Sequence, residues 1–332
     1  MDKNALLVLG AGSWGTALAM VLARNGHPVH LWDIDSGHIA GLARDRANNR
    51  HLPGVIFPDL LQPQAELGPL LGIARDIVIA VPCAALHDVL DRMAVGDLPN
   101  IRVCLACKGL EPGTHSLGHA IVRDHLGEIP LAVLSGPSFA AEVAAGLPTA
   151  VTIVSEDAAT AAAFAAYFHN EVFRIYTHND LIGVQIGGAL KNVMAIAAGI
   201  ADGLGFGANT RAALVTRGLA EITRLGMAMG ARQETFMGLA GLGDLVLTCT
   251  DNQSRNRRLG LALASGQTLE EARRTIGQAI EGLRTANAVH SLAAEFGVEM
   301  PISEQIYQVV NGYKSPREAV QFLLNREPRS EC

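Results

Sequence analysis

The sequence has few aromatic residues and no excess of basic residues. Phe, Trp and Tyr make up 5% of the 332 residues, and 26 Lys and Arg stand against 32 Asp and Glu, for a net charge of -6. Binding to nucleic acid normally requires a basic face, and unpaired bases stack on aromatic side chains. The composition therefore argues against a nucleic-acid partner and favours a small ligand.

The sequence also shows no secretion signal and no long uncharged apolar run. The first apolar run, Ala5 to Leu9, is too short for a signal peptide, and no run of about 18 apolar residues lacks a charge. The five cysteines are an odd number and are scattered, at Cys83, Cys104, Cys107, Cys249 and Cys332. This usage suits thiols in a reducing compartment, so we expect a cytoplasmic protein that does not span a membrane.

Two pairs of potential metal ligands lack the partners that a metal site needs. Cys104 and Cys107 form a C-x-x-C, but no second pair follows, and both lie in a strand-like run. His115 and His119 are four residues apart without a third ligand at suitable spacing. We expect no bound metal ion.

A glycine-rich turn follows the first predicted strand. Ala5 to Leu9 has the composition of a buried parallel strand and runs into a G-x-G-x-x-G at Gly10, Gly12 and Gly15, after which a helix is predicted from Thr16. In a dinucleotide-binding loop the first glycine forms the tight turn, the second lets the backbone approach the pyrophosphate, and the third lets helix and strand pack closely. The order of strand, glycines and helix predicts a bound dinucleotide.

Asp33 follows a second predicted strand, Val29 to Trp32, and lies 18 residues after Gly15. An acid at about this spacing binds the adenosine ribose hydroxyls of NAD and repels the extra phosphate of NADP. Asp33 therefore favours NAD. The alternative is that Asp33 and Asp35 only cap the helix predicted from Ser36.

Strand and helix patterns alternate up to about residue 180. Strands are predicted at Asp76 to Val81, Ile101 to Ala106 and Leu131 to Leu134, with helices between them. Such alternation predicts a doubly wound parallel sheet, in which ligands bind beyond the carboxyl ends of the strands. Lys108-Gly109 and Ser135 to Ala140 follow two of these ends.

From Leu181 onward nearly every segment has helical periodicity. We therefore expect an α/β protein with a Rossmann-type dinucleotide-binding domain at residues 1-180 and an all-helical substrate and catalytic domain at residues 181-332.

The helical half begins with an apolar run, Gln185 to Gly199, that Lys191 and Asn192 interrupt. Burial lowers the pKa of a lysine and suits it to act as a general acid or base. The alternative is that Lys191 reaches water along its own methylene stem.

Polar residues are dense in two later stretches. Asp244 follows three spaced glycines, and Ser254, Arg255 and Asn256 stand at a predicted helix start, where an Arg and free N–H groups can bind a phosphate. The alternative for the arginines is a solvated basic turn.

Together these motifs resemble a known family over essentially the whole chain. The stretches Gly10 to Ala17, Lys108 to Leu110, Ser135 to Ala140, Gly187 to Asn192 and Gly241 to Asn256 are similar to those of the bacterial NAD(P)-dependent sn-glycerol-3-phosphate dehydrogenases. The resemblance implies reversible reduction of dihydroxyacetone phosphate to sn-glycerol 3-phosphate for glycerophospholipid synthesis. It also implies NAD(H) or NADP(H) as cofactor, and we expect a homodimer.

The resemblance assigns roles to individual residues. By the resemblance Lys191 is the general acid/base. From this we expect that Lys108 and Asn192 stabilise the developing negative charge and that Asp244 holds the Lys191 ammonium. The implied substrate contacts are Lys108, Gly136, Ser138, Lys191, Asp244, Thr248, Ser254, Arg255 and Asn256. The implied cofactor contacts, added to Gly10, Gly12, Gly15 and Asp33, are Ser13, Trp14, Lys108, Ala140, Arg255, Ala279 and Glu281.

One departure concerns the cofactor. Family members that favour NADPH tend to carry a basic residue near the end of the second strand, whereas Asp33-Ile34 stands here. Two other functions share the general layout: a dehydrogenase of the hydroxyacid or 6-phosphogluconate type, and a dinucleotide sensor without turnover. The substrate-loop sequence argues against the first, and the set of Lys108, Lys191 and Asp244 argues against the second.

Overall fold

The computed structural model describes residues 5–96, 98, 100–111 and 113–327. The chain forms two compact units, the first comprising residues 1–111 and 116–185 and the second residues 112–115 and 186–332. The division falls inside one long helix, a few residues after the predicted domain boundary at residues 180 and 181.

The first unit is built around one sheet of eight strands. The strands are β1 (Leu6–Leu9), β2 (Val29–Trp32), β3 (Leu61–Gln64), β4 (Asp76–Ile79), β5 (Arg102–Leu105), β6 (Leu131–Ser135), β7 (Thr149–Val154) and β8 (Phe173–His178). The helices of this unit are α1 (Ser13–Arg24), α2 (Ser36–Asp45), α3 (Gly68–Leu71), α4 (Leu86–Ala94), α5 (Gly118–Leu126), α6 (Ala140–Ala145) and α7 (Ala158–Phe168).

The strand order in the sheet is β3-β2-β1-β4-β5-β6-β7-β8. This is a doubly wound arrangement whose order reverses at β1 and β4, which confirms the predicted fold class. All described strand pairs are parallel except one, since β7 pairs with β6 antiparallel. The short helix α6 and its flanking loops return the chain along the neighbouring strand in the opposite direction.

Strand β3 has no counterpart in the sequence-based prediction. It contains Pro63 and pairs only with β2 at the edge of the sheet. A proline cannot donate to a strand partner, so an edge is where a strand with this sequence is tolerated.

Aliphatic strand residues and the small residues of α1 form the core of the first unit. Every residue of β1 is buried, and α1 is buried from Gly15 to Ala23. The aromatic rings of Phe164, Phe168 and Phe173 belong to the same buried core.

The second unit is helical throughout its described residues. Its α-helices are α8 (Leu181–Gly203, which begins in the first unit), α9 (Ala208–Ala228), α10 (Asp244–Thr250), α11 (Arg255–Ala264), α12 (Leu269–Ile276), α13 (Glu281–Glu295), α14 (Pro301–Val310) and α15 (Pro316–Leu324). A π-helical turn, Leu239–Gly243, leads into α10.

Helix α8 is long and apolar enough, by length and composition, to cross a membrane. However, 94% of its most apolar window is buried inside the protein, which is the position of a core helix.

Glycines of α8 allow other backbone segments to come very close. A Cβ atom built on Gly187 would lie 2.6 Å from the carbonyl oxygen of Ala240, and one built on Gly199 would lie 2.1 Å from that of Arg257. In return, a Cβ on Gly260 of α11 would lie 2.1 Å from the carbonyl oxygen of Ile196. Side chains are thus excluded where α8 meets α11 and the turn that precedes α10.

Candidate active site

The three glycines of the first loop have different surroundings. Gly10 has φ +105°, and a Cβ there would lie 2.9 Å from the carbonyl oxygen of Ala80. A Cβ on Gly15 would lie 1.9 Å from the carbonyl oxygen of Gly10. A Cβ on Gly12 would meet no described atom within 4 Å. Gly10 and Gly15 are therefore required by the fold, whereas the open space at Gly12 fits the close approach of a ligand phosphate to the backbone.

Asn48 ties this loop to helix α1 and was not recognised from the sequence. Its amide nitrogen donates to the carbonyl oxygen of Ala11 at 2.9 Å and to the hydroxyl of Thr16 at 2.8 Å. Its side-chain oxygen accepts from the N–H of His51 at 3.1 Å. Asn48 is fully buried, so these bonds fix the shape of the loop.

Asp33 contacts the glycine loop directly. One carboxylate oxygen accepts from the N–H of Ala11 at 2.7 Å, and the other accepts from the N–H of Asp35 at 3.1 Å. The helix cap is Asp35 alone, which accepts from the N–H of His38. The capping alternative therefore applies to Asp35, and Asp33 places a carboxylate at the end of β2 beside the loop.

A basic residue does approach this strand end, from a distant part of the sequence. The guanidinium of Arg50 lies 3.6 Å from the carboxylate of Asp35, and both side chains are exposed. The side chain of Ile34 is exposed beside them. Asp33, Asp35 and Arg50 thus bring two carboxylates and a guanidinium to the end of β2.

Ser13 and Trp14, at the start of α1, are held by carbonyl oxygens. The hydroxyl of Ser13 donates to His51 at 2.7 Å, and the indole N–H of Trp14 donates to Ala106 at 3.1 Å. Ala106 directly follows β5, so the indole connects the glycine loop with the strand end that carries Lys108.

Lys108, Gly136 and Ser138 come together beyond the ends of β5 and β6. The Lys108 ammonium donates to the carbonyl oxygen of Gly136 at 2.8 Å, and the Ser138 hydroxyl donates to the same oxygen at 3.1 Å. Gly136 has φ +136°, and a Cβ there would lie 3.0 Å from Val151, so only glycine fits. Ala140 begins α6 directly after this loop.

In the second unit, Lys191 and Asp244 form a buried ion pair. The Lys191 ammonium donates to a carboxylate oxygen of Asp244; the Lys191 side chain is 10% exposed and that of Asp244 is fully buried. The hydroxyl of Thr248, one turn further along α10, donates to the carbonyl oxygen of Asp244 at 2.6 Å. The Lys191 ammonium is therefore held by a buried counter-charge, which favours the acid/base interpretation over a lysine that extends freely into solvent.

A second polar contact lies next to this pair along α8. The amide nitrogen of Asn256 donates to the side-chain oxygen of Asn192 at 2.9 Å, and its own side-chain oxygen accepts from the N–H of Gly282 at 2.9 Å. Because the side-chain oxygen of Asn192 accepts from Asn256, the amide nitrogen is the part of the Asn192 side chain that can donate to a ligand. Asn256 thus orients Asn192 and connects α8, α11 and α13.

Arg255 occupies the first position of α11. Ser254 is the N-cap and accepts from the N–H of Arg257 at 3.2 Å. The Arg255 guanidinium donates to the side-chain oxygen of Gln278 at 3.3 Å. Burial lowers the pKa of Arg255, and the nearby Glu281 carboxylate opposes that shift.

Glu281 and Ala279 flank the start of α13. Glu281 is the first residue of the helix, and burial raises the pKa of its carboxyl against the opposing charges of Arg284 and Arg255. Ala279 is exposed in the turn before it. Arg255 and Glu281 thus place opposite charges, each partly buried, at the starts of α11 and α13.

The neighbouring arginines differ from one another. The Arg257 side chain is buried and pairs with Asp202 at 2.7 Å, whereas Arg258 is exposed. The alternative of a solvated basic turn therefore fits Arg258 alone.

Cys249 lies close to the Lys191 pair, but its thiol is unsuited to nucleophilic chemistry. Burial raises its pKa to about 12. A thiol with so high a pKa stays protonated at neutral pH, and only the thiolate is a nucleophile.

The reversing strand order, the glycine loop at the end of β1 and the buried lysine of the helical unit define a dinucleotide-dependent oxidoreductase of the Rossmann type. The chain belongs to the NAD-dependent glycerol-3-phosphate dehydrogenase family. The family's N-terminal model matches residues 5–161 and its C-terminal model matches residues 180–321.

Individual relatives match over nearly their whole length. Glycerol-3-phosphate dehydrogenase [NAD(P)+] of Nitrosococcus oceani is 53% identical over 99% of this chain and 97% of its own. That of Edwardsiella ictaluri is 54% identical over 98% and 97%. The crystal structure of glycerol-3-phosphate dehydrogenase from Coxiella burnetii has 48% identity and a TM-score of 0.94, covering 98% of this chain and 99% of that one.

Proposed function

We propose that this chain catalyses the reversible NAD(P)-linked reduction of dihydroxyacetone phosphate to sn-glycerol 3-phosphate, which supplies glycerophospholipid synthesis. The observation that carries the proposal is the buried Lys191–Asp244 pair in a chain that also has a dinucleotide loop with open space at Gly12. A nicotinamide held at the glycine loop would supply the hydride in the reductive direction and take it up in the oxidative one.

Lys191 is the proton donor. In the reductive direction its ammonium gives a proton to the alkoxide oxygen that forms at C2, and in the oxidative direction the neutral amine takes that proton back. Asp244 holds the ammonium group in place through a direct hydrogen bond. Because Asp244 is fully buried, water screens the attraction between the two charges only weakly.

Lys108 and Asn192 stabilise the negative charge that develops on the substrate oxygen. Asn192 is oriented for this role, since its side-chain oxygen accepts from Asn256 and its amide nitrogen remains the donor of the side chain. Asn256 therefore acts as a positioning residue through Asn192, in addition to the substrate contact that the family resemblance implies.

The substrate phosphate is bound at the start of α11 by Arg255. A guanidinium can donate two parallel hydrogen bonds to a phosphate, and the free N–H groups of a helix start attract the same charge. Binding energy from this non-reacting group orients the carbonyl for hydride transfer.

The activity is tested by following the oxidation of NADH and of NADPH with dihydroxyacetone phosphate. We expect turnover with the phosphorylated substrate and little with dihydroxyacetone itself, because the latter lacks the group that Arg255 binds. Equal turnover of both substrates would contradict the phosphate anchor, and no turnover with either cofactor would contradict the function.

Arg255→Ala tests the anchor further. Hydrogen bonds to charged groups contribute about 1.5–3 kcal/mol each, so we expect KM for dihydroxyacetone phosphate to rise roughly 10- to 100-fold. Arg258→Ala is the matched control, because Arg258 is exposed on the same helix turn. An equal effect of both substitutions would mean that only the overall positive charge matters.

The oligomeric state and the cellular location of the protein are also part of the proposal. We propose a homodimer. This is supported by large apolar side chains that are exposed on the second unit, namely Met227, Met237, Phe322 and Leu324. We also propose a cytoplasmic location, which the absence of disulfides among the cysteines in the described residues supports. Sedimentation of the purified chain as a monomer would contradict the dimer.

A further inference from the structure

Asn48 is a buried polar residue to which the proposed mechanism gives no role. It lies between α2 and β3, and its side chain is fully buried against the glycine loop. Its amide nitrogen is 2.9 Å from the carbonyl oxygen of Ala11 and 2.8 Å from the hydroxyl of Thr16. A buried amide is stable only when its hydrogen bonds are made, so these contacts are a requirement of the site and not a chance encounter.

The contacts of Asn48 fix which way round its amide group lies. The backbone N–H of His51 donates to the side-chain oxygen of Asn48 at 3.1 Å. A backbone N–H only donates and a backbone carbonyl only accepts, so the nitrogen of the amide is the atom that faces Ala11. Its two hydrogens are used on Ala11 and on Thr16. Asn48 is therefore a fixed donor to the Ala11 carbonyl.

The peptide groups on both sides of Ala11 are held by side chains from other parts of the chain. Besides Asn48, the Nε2 atom of His38 lies 3.2 Å from the Ala11 carbonyl oxygen, and it carries the hydrogen because a carbonyl only accepts. On the other side of the residue, the N–H of Ala11 donates to the carboxylate of Asp33 at 2.7 Å. Neither peptide group can rotate without breaking these bonds.

The bond between Ala11 and Gly12 is trans, so the carbonyl of Ala11 and the N–H of Gly12 point in opposite directions. Asn48 binds that carbonyl from the buried side of the loop. The N–H of Gly12 is therefore turned away from the interior, at a residue that is itself partly exposed. Backbone N–H groups of such a loop are the donors that meet the diphosphate of a dinucleotide.

We propose that Asn48 is a positioning residue for the dinucleotide: by holding the Ala11 carbonyl it directs the N–H of Gly12 toward the cofactor diphosphate. His38 supports the same carbonyl from a less buried position. This inference rests on the proposed function and adds the residue that orients the glycine loop. Without the Asn48 amide the peptide group between Ala11 and Gly12 is free to rotate, and the ligand must order it on binding.

The test measures binding of ADP-ribose and of adenosine to the full-length chain by isothermal titration calorimetry. ADP-ribose contains the diphosphate and adenosine does not. Asn48→Ala should weaken ADP-ribose binding roughly tenfold or more, the effect of losing one hydrogen bond to a charged group, and should leave adenosine binding nearly unchanged. Because binding is measured directly, failure of the chain to reduce dihydroxyacetone phosphate would contradict the proposed reaction without affecting this test.

Asn25→Ala is the matched control. The amide nitrogen of Asn25 also donates to a backbone carbonyl oxygen, that of Tyr167 at 2.7 Å, but Asn25 lies at the opposite end of α1 from the glycine loop. This variant loses a comparable bond of the same unit and should bind ADP-ribose as the wild type does.

His38→Ala is a second variant, at a position that is only partly buried. It removes the other side-chain donor to the Ala11 carbonyl that comes from α2, and it should weaken ADP-ribose binding roughly two- to tenfold, the effect of one neutral hydrogen bond.

Three results would overturn the proposal. Equal affinity of the wild type and Asn48→Ala for ADP-ribose would show that the loop keeps its orientation without the amide. An equal loss of affinity for ADP-ribose and adenosine in Asn48→Ala would assign a general structural role to the residue. If Asn48→Ala does not fold, unchanged ADP-ribose binding by His38→Ala would show that donors to the Ala11 carbonyl do not control the site.

Discussion

Replacing Asp244 by Asn removes the counter-charge of the Lys191 ammonium and leaves the rest of its surroundings in place. The Asp244 side chain is fully buried and that of Lys191 is 10% exposed. Removing one partner of a buried ion pair costs about 3–5 kcal/mol, because the other charge remains in a medium of low polarity. The folding equilibrium constant should therefore fall by roughly two to three and a half orders of magnitude.

The pair can also be removed as a whole. Lys191→Met alone leaves the Asp244 carboxylate buried and should cost a similar free energy of unfolding, whereas replacing a buried pair by apolar residues is often neutral. The double variant Lys191→Met/Asp244→Leu should thus be far more stable than the sum of the single effects predicts. Lys191→Met should lower kcat by about 10²–10⁴, the usual contribution of a general acid.

Urea unfolding followed by far-ultraviolet circular dichroism measures the stabilities, and quenching of Trp14 and Trp32 fluorescence measures dinucleotide binding. Dinucleotide affinity should stay near that of the wild type in Lys191→Met, because both indoles and the glycine loop belong to the first unit. Lys191→Arg is the control: it keeps the charge and most of the stability but cannot release a proton. Additive stability losses, or unchanged kcat in Lys191→Met, would refute the reasoning.

Three further predictions concern other parts of the chain. Gly12→Ala should weaken NADH binding without loss of stability, whereas Gly15→Ala should also destabilise the fold by about 1–3 kcal/mol, since its Cβ would lie 1.9 Å from Gly10; equal thermal stability of the two variants would contradict this reading. The wild type should have kcat/KM for NADH at least equal to that for NADPH, and Asp33→Ala should shift the ratio toward NADPH; a strong NADPH preference of the wild type would show that Asp33 does not select NAD. Burial raises the pKa of Glu221, so its contribution to stability is present below the ordinary glutamate pKa and is lost as pH rises through the raised value; urea unfolding across this range should show that trend in the wild type and not in Glu221→Gln.

The parts of the fold that depend on local sequence pattern could be predicted from the sequence. The alternation of strands and helices predicted the doubly wound sheet because each strand is a short apolar run between turn residues. The antiparallel pairing of β7 with β6 could not be predicted in this way, because strand direction depends on the path of the connection and leaves no periodic signal. Strand β3 was missed because Pro63 is permitted there only by its place at the sheet edge.

The residues of the candidate site, like the elements of the fold, were predicted only where they leave a local pattern in the sequence. The glycine loop and Lys191 stood out because each breaks a local pattern, glycines in one case and a charge in an apolar run in the other. Asn48 did not stand out, although it bonds Ala11 across 37 positions of sequence. A contact between residues so far apart in sequence can be recognised only in the folded chain. The hydrogen bond by which Asn256 orients Asn192, across 64 positions of sequence, is another example.

The glycine contacts of α8 have a consequence for how the chain tolerates change. Gly199 and Gly260 each occupy a point where even a methyl group would overlap a neighbouring carbonyl oxygen. Neither residue belongs to the groups assigned to chemistry, yet together they set the distance between the helix that bears Lys191 and the helix that begins with Arg255. In a saturation library selected for growth on this activity, both positions should therefore accept glycine alone. A search for functional residues based on such intolerance would rank them beside the proton donor, although their contribution is the space they leave empty.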